Sequence, residues 1–120
     1  MNSTLLIVSQ SPDTPAALSA MLKPKDWKVH QVHTCGEAIA RLNLDSIAVV
    51  VCDSGLPDGS WRDMLVYTAY APKGPALIVT SRAADEALWA EVLNLGGYDV
   101  LAQPFDQIEV TRVISAAGRV

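Results

Sequence analysis

Val49-Val50-Val51-Cys52-Asp53-Ser54-Gly55-Leu56-Pro57-Asp58-Gly59 is the stretch from which the rest of the chain can be read. Three β-branched residues and a cysteine make a short apolar run, the pattern of a strand buried on both faces of a sheet. Asp53 follows at once, and then a loop built on Gly, Pro, Asp and Gly. Open α/β sheets place their ligands outside the carboxyl ends of parallel strands. Asp53 is therefore the first candidate functional carboxylate. Its competing role is local, as an aspartate that hydrogen-bonds its own turn.

Outward from this strand, apolar runs alternate with helical stretches. Leu5-Leu6-Ile7-Val8 reads as the first strand and ends at Ser9-Gln10. Ser11-Pro12-Asp13-Thr14-Pro15 has helix-start chemistry, with Asp or Ser as cap. The helix runs to about Leu22 and buries Ala17, Leu18, Met21 and Leu22. Trp27 to His33 is a second strand without clean alternation, which suits an edge. Thr34 and Glu37 have capping-box spacing and open a helix over Ala38, Ile39 and Leu42 that ends near Leu44. After the strand Ile47 to Cys52 and its loop, a helix from Trp61 to about Tyr70 turns Met64, Leu65, Thr68 and Ala69 inward. Pro72-Lys73-Gly74-Pro75 stops it. Ala76 to Val79 is the fourth strand, ending at Thr80-Ser81. The fourth helix runs from about Ala83 to Leu95 and closes on Gly96-Gly97. Tyr98 to Ala102 is the fifth strand, followed by Gln103-Pro104-Phe105. Asp106 and Glu109 cap a last helix that buries Val110, Val113, Ile114 and Ala117. Strands alternating with helices mean βαβ units, a parallel sheet and right-handed crossovers.

The totals exclude several classes. A length of 120 residues gives one domain with room for a core. Half the residues are hydrophobic and 18% are charged, a globular composition rather than a disordered one. No apolar run is long enough to span a membrane. Met1-Asn2-Ser3-Thr4 lacks the basic region of a secretory signal, so a cytoplasmic location is expected. Cys35 and Cys52 are too few for a disulfide framework or a zinc site. His30 and His33 are an odd number of residues apart on a strand, so they point to opposite faces and are not a metal pair. The net charge is −4 and the nine Lys and Arg residues are scattered, which argues against a nucleic-acid surface.

Four features, in this order and spacing, resemble the receiver domain of the response-regulator family, the flavodoxin-like (βα)5 module of two-component signalling. They are the third strand ending in Asp53, Leu56-Pro57-Asp58-Gly59 after it, Thr80 at the end of the fourth strand, and Gln103-Pro104-Phe105 after the fifth. The resemblance covers the whole chain, so residues 1–120 read as a single receiver domain. It implies an α/β fold with a five-stranded parallel sheet of order 2-1-3-4-5, helices on both faces, and a cis Gln103–Pro104 bond. It also implies roles. Asp53 matches the phosphoacceptor aspartate, and Thr80 matches the hydroxyl residue that bonds the phosphoryl oxygen and carries the switch. In the family, Mg²⁺ is held by that aspartate and an acidic pair at the end of the first strand, and a lysine after the fifth strand adds positive charge to the pocket.

This chain departs from that pattern. The acidic-pair positions are Ser9 and Gln10, the lysine position is Gln103, and the aromatic switch position is Val100. Mg²⁺ prefers hard, anionic oxygens, so it is expected to bind weakly if at all, and no other cofactor is expected. Asp13 and Asp58 are the carboxylates that could replace the pair. Asp13 reads instead as a helix cap and Asp58 as a solvated loop residue. Losing the acidic pair and the lysine together leaves one carboxylate with little to repel it, the mark of a pocket no longer built around a metal.

By the same resemblance, signals are read on the face of the fourth helix, fifth strand and fifth helix. On a helical wheel Leu88, Val92 and Leu95 form the stripe that should face the sheet. Trp89 and Leu93 flank it, either as a docking pair that could include a homodimer contact or packed under the adjacent loop and strand. Three readings follow. One is a phosphoacceptor that takes a phosphoryl group from a histidine kinase or phosphotransfer protein onto Asp53. The second is a receiver-like interaction module that works without Mg²⁺-dependent phosphorylation. The third, a small flavodoxin-like enzyme or flavin binder, is disfavoured, because Ser9-Gln10-Ser11-Pro12-Asp13 has no glycine to let amides cradle a phosphate. No enzyme activity on an outside substrate is expected.

Overall fold

The computed structural model describes residues 3–71 and 74–118; the Pro72-Lys73 part of the expected helix stop and the Met1-Asn2 start lie outside them. In chain order the elements are β1 (Ser3–Val8), α1 (Asp13–Met21), β2 (Trp27–Val32), α2 (Cys35–Leu44), β3 (Val49–Asp53), β4 (Gly55–Leu56), β5 (Gly59–Ser60), α3 (Trp61–Tyr70), β6 (Ala76–Ser81), α4 (Glu86–Leu95), β7 (Asp99–Ala102) and α5 (Gln107–Gly118). Five strands form one sheet in the order β2-β1-β3-β6-β7, and every pairing in it is parallel. This is the flavodoxin-like order expected, with β6 and β7 as the fourth and fifth strands.

The strands alternate their side chains between two cores. Leu5, Ile7, Val49, Val51, Ile78 and Leu101 pack with α1 and α5 through Leu18, Val110, Val113 and Ile114. Leu6, Val8, Val50, Cys52, Leu77, Val79 and Val100 face α2, α3 and α4 through Ala38, Leu42, Trp61, Met64 and Val92. Burial on both faces is why the central strands read as unbroken apolar runs. The edge strand β2 keeps only Trp27 and Val32 buried. Among the described residues no helix is long and apolar enough to cross a membrane.

Several local expectations change. The inward stripe of α3 is Trp61, Met64 and Thr68; Ala69 is exposed. The helix α4 starts at Glu86 rather than Ala83, because the Asp85 carboxylate accepts the Leu88 N–H at 2.9 Å and so caps it there. Leu95 does not face the sheet and is 54% exposed. It lines a cleft with Leu65 and Ala69 of α3 instead. Asp13 is the first residue of α1 and not its cap: Pro12 holds the cap position, and the Asp13 N–H donates to Ser11 Oγ. Asp58 is not free in solvent. Its carboxylate accepts the N–H groups of Cys35 at 2.8 Å and Gly36 at 3.0 Å, at the start of α2. The loop after Asp53 also contains a two-strand antiparallel hairpin, β4–β5.

The glycine signals hold. Gly96 closes α4 at φ 107°, and the Gly96 and Gly97 N–H groups bond back to the Leu93 and Val92 carbonyls. At Gly97 a Cβ would collide with the Val92 side chain and lie 3.0 Å from its carbonyl oxygen.

Candidate functional site

The register of the sheet builds the site. Val8 pairs with Cys52, so the next residue on each chain sets Ser9 beside Asp53. Asp53 pairs directly with Thr80. Ser81 pairs with Ala102, which brings Gln103 to the same rim. Ser9, Asp53, Thr80 and Gln103 also share the side-chain parity of Leu5, Val51, Ile78 and Leu101, because side chains alternate with period two along a strand. Four residues far apart in sequence thus meet at the carboxyl end of the sheet, on the side of α1 and α5.

Both oxygens of the Asp53 carboxylate are taken by hydroxyls. Ser9 Oγ donates to Oδ2 at 2.5 Å, and Thr80 Oγ1 donates to Oδ1 at 2.8 Å. Ser9 and Thr80 are each 1% exposed, so these bonds satisfy buried donors as well as the carboxylate. Asp53 itself is partly exposed. The Ser9 hydroxyl also accepts the Ser11 N–H at 3.1 Å, which ties the β1–α1 loop to the pocket. The ring of His33, just past β2, lies against the Ser9 carbonyl through Nδ1 at 3.1 Å.

Gln103 extends the chain of bonds outward. Its Nε2 approaches Thr80 Oγ1 at 3.5 Å, and its Oε1 accepts Arg82 Nε at 3.3 Å. The amide orientation follows from the neighbours. Thr80 spends its single hydroxyl proton on Asp53, so it can only accept from Gln103, and the guanidinium can only donate. Gln103 must present its NH₂ to Thr80 and its oxygen to Arg82. The sequence singled out Gln103 but not Arg82, although Arg82 stands two residues after Thr80 on the loop leaving β6.

The other expected site residues lie apart from this set. Gln10 is exposed, and Val100 is buried in the core facing α2, α3 and α4. Asp13 is exposed in the first turn of α1. Asp58 is engaged with the amides of α2, and those two bonds, Cys35 first, hold its carboxyl below the ordinary aspartate range. Trp89 and Leu93 part company: the Trp89 indole N–H donates to Asp99 Oδ1 at 2.8 Å and its ring packs on the α2–α4 core, while Leu93 is 51% exposed.

These residues do not make a ligand set for Mg²⁺. That ion takes near-octahedral oxygen ligands, usually including more than one charge. Asp53 supplies the charge here, and among the described residues no second carboxylate is hydrogen-bonded to it, to Ser9 or to Thr80. Among the described residues no cluster of three His, Cys, Asp or Glu side chains could hold a metal. The thiols are not candidates either. Burial, aided by Asp58, pushes Cys35 up to about 11, and burial drives Cys52 higher.

A family model described as response regulator receiver domain matches residues 5–115. The chain belongs to the response-regulator receiver family, a family of signalling modules. It is similar over 92% of its length, at 28% identity, to a 14.6 kDa protein of Leptolyngbya boryana that carries no assigned function, covering 86% of that protein. It is 32% identical over 97% of its length to the probable transcriptional regulatory protein TcrX of Mycobacterium tuberculosis, of which it spans half. Its backbone matches the receiver domain of the sensor histidine kinase PA1611 of Pseudomonas aeruginosa with a TM-score of 0.84 at 20% identity, covering all of both chains. That crystal structure holds a magnesium ion coordinated in its active-site cleft.

Proposed function

We propose that this receiver domain works in a two-component phosphorelay, with Asp53 as the group that accepts phosphoryl from a histidine kinase or a phosphotransfer protein. The observation that carries this reading is the Asp53–Thr80 pair. A carboxylate stands at the carboxyl end of the central strand, with a buried hydroxyl donating to one oxygen at 2.8 Å. The same hydroxyl can turn to a phosphoryl oxygen once the carboxylate is esterified. Gln103 stands where a second donor to that oxygen would be needed, though it brings no charge. Ser9 and Gln10 stand in place of the acidic pair, so Asp53 is left as a lone carboxylate that would hold Mg²⁺ weakly if at all. Leu93, exposed on α4, marks the face on which a partner or a second copy would dock.

The experiment is labelling with acetyl phosphate followed by intact mass, with Asp53→Asn as control. A gain of one phosphoryl group that disappears in the control is the expected result. Failure to gain it, with Mg²⁺ or without, would leave the second reading: a receiver that binds partners without phosphorylation. One feature favours that alternative. Ser9 and Thr80 already satisfy both Asp53 oxygens with neutral donors, so the carboxylate needs neither a metal nor a phosphoryl group to be at rest.

A further inference from the structure

We infer that Arg82 is the cation of the Asp53 pocket, acting through Gln103 and Thr80 in place of the missing lysine and metal. The inference rests on Asp53 being the acceptor. Its basis is the direction of the hydrogen bonds. Arg82 Nε donates to Gln103 Oε1, Gln103 Nε2 donates to Thr80 Oγ1, and Thr80 Oγ1 donates to Asp53 Oδ1. Every proton in this chain points from the guanidinium toward the carboxylate. Hydrogen bonds aligned head to tail polarise one another, so a positive charge at one end strengthens the donor at the other. A guanidinium stays charged at any working pH and presents several donors to an anion.

Charge counting gives the same answer. A pocket of three carboxylates, one divalent cation and one lysine is electroneutral. Asp53 with Arg82 is electroneutral too, and without a metal. In the transfer step a carboxylate oxygen of Asp53 forms a bond to the phosphorus of an acyl phosphate. The phosphorus–oxygen bond to the acyl group breaks, and the leaving carboxylate keeps the electron pair. No proton, oxidant or further reactant is required. The pocket then gains one negative charge, and Gln103 and Thr80 present their donors where that charge develops. Stabilisation of this kind is the main route to catalysis of phosphoryl transfer.

The test is the rate of labelling by acetyl phosphate in EDTA, read by intact mass, in the wild type, Arg82→Gln, Arg82→Lys and the double variant Arg82→Gln with Gln103→Lys. Arg82 is exposed, and a thermal melt of each variant shows that it is folded. The expected result is labelling of the wild type in EDTA, a fall of about tenfold or more in Arg82→Gln, partial retention in Arg82→Lys, and recovery in the double variant, where the charge returns from the other side. A merely structural Arg82 would not be rescued by a lysine at position 103. Labelling of Arg82→Gln at the wild-type rate would overturn the inference, as would wild-type labelling that needs Mg²⁺. A wild type that takes no phosphoryl under either condition would instead remove Asp53 as acceptor, and the role of Arg82 with it.

Discussion

Asp58 shows how one exposed side chain can hold two segments together. Its carboxylate bonds the first two amides of α2, which no helix carbonyl can reach. A negative charge at a helix N-terminus is also favoured by the helix dipole. The bonds keep the folded carboxyl below its ordinary value. Its contribution to stability is therefore complete above the unfolded pKa of about 4, and it is lost as pH falls through the lower folded value. Asp58→Ala should lower stability at pH 7, and the gap to wild type should narrow by pH 3; denaturant titrations at the two pH values measure it. Gly97 works by absence. Its missing Cβ leaves room for the Val92 carbonyl, so Gly97→Ala should cost about 1–3 kcal/mol by overpacking, seen as a lower midpoint in the same titration.

Among the helices, α4 is held most lightly. It buries only Val92 fully, whereas α5 buries Val110, Val113 and Ile114. Three polar devices supplement that contact: the Asp85 cap, the Trp89–Asp99 bond, and the Arg62–Glu91 ion pair with α3. The ion pair is half exposed and adds little. Hydrogen exchange should therefore find the α4 amides opening before those of α5, since regions with few buried apolar contacts open at lower free energy. Trp89→Phe keeps an aromatic ring at this position, though a smaller one, and removes the donor to Asp99. It should cost about 1 kcal/mol and speed exchange in α4 without affecting α1. Unchanged exchange would mean that ring packing, and not the bond, fixes this helix.

At the scale of the molecule, one sheet serves two cores. Each central strand contributes residues to both, so neither layer can melt and leave the other intact. Met64 in the α2–α4 layer and Leu18 in the α1–α5 layer are both fully buried. Truncating either to Ala should cost about 2–5 kcal/mol. Trp61 and Trp27 are natural probes, because they lie in opposite layers. Variants that keep one of these indoles as the sole reporter of its layer should unfold with the same midpoint, as a two-state domain of this size does. Different midpoints would show that the layers separate.

The alternation of apolar runs with helical stretches determined the five strands of the main sheet and the five helices, and apolar runs without polar alternation pointed to strands buried on both faces of a parallel sheet; the short β4–β5 hairpin left no such signal. Asp53 was legible as a carboxylate closing a buried apolar run, whereas Thr80 and Gln103 were marked only by the resemblance to the receiver family. The helix ends that failed at Ala83 and Asp13 turned on which of several neighbouring polar groups caps, a competition of a kcal/mol or so that local sequence does not decide. What tertiary structure alone decided is who meets whom. Register, not spacing, sets Ser9 beside Asp53, since parallel strands are joined through long crossovers and nothing in their sequences declares the pairing. The same holds for Asp58 on α2 and for Arg82 on Gln103. Each is a polar contact between segments distant in the chain, formed only because a sheet packed on both faces leaves its carboxyl rim as the place where loops from four strands converge.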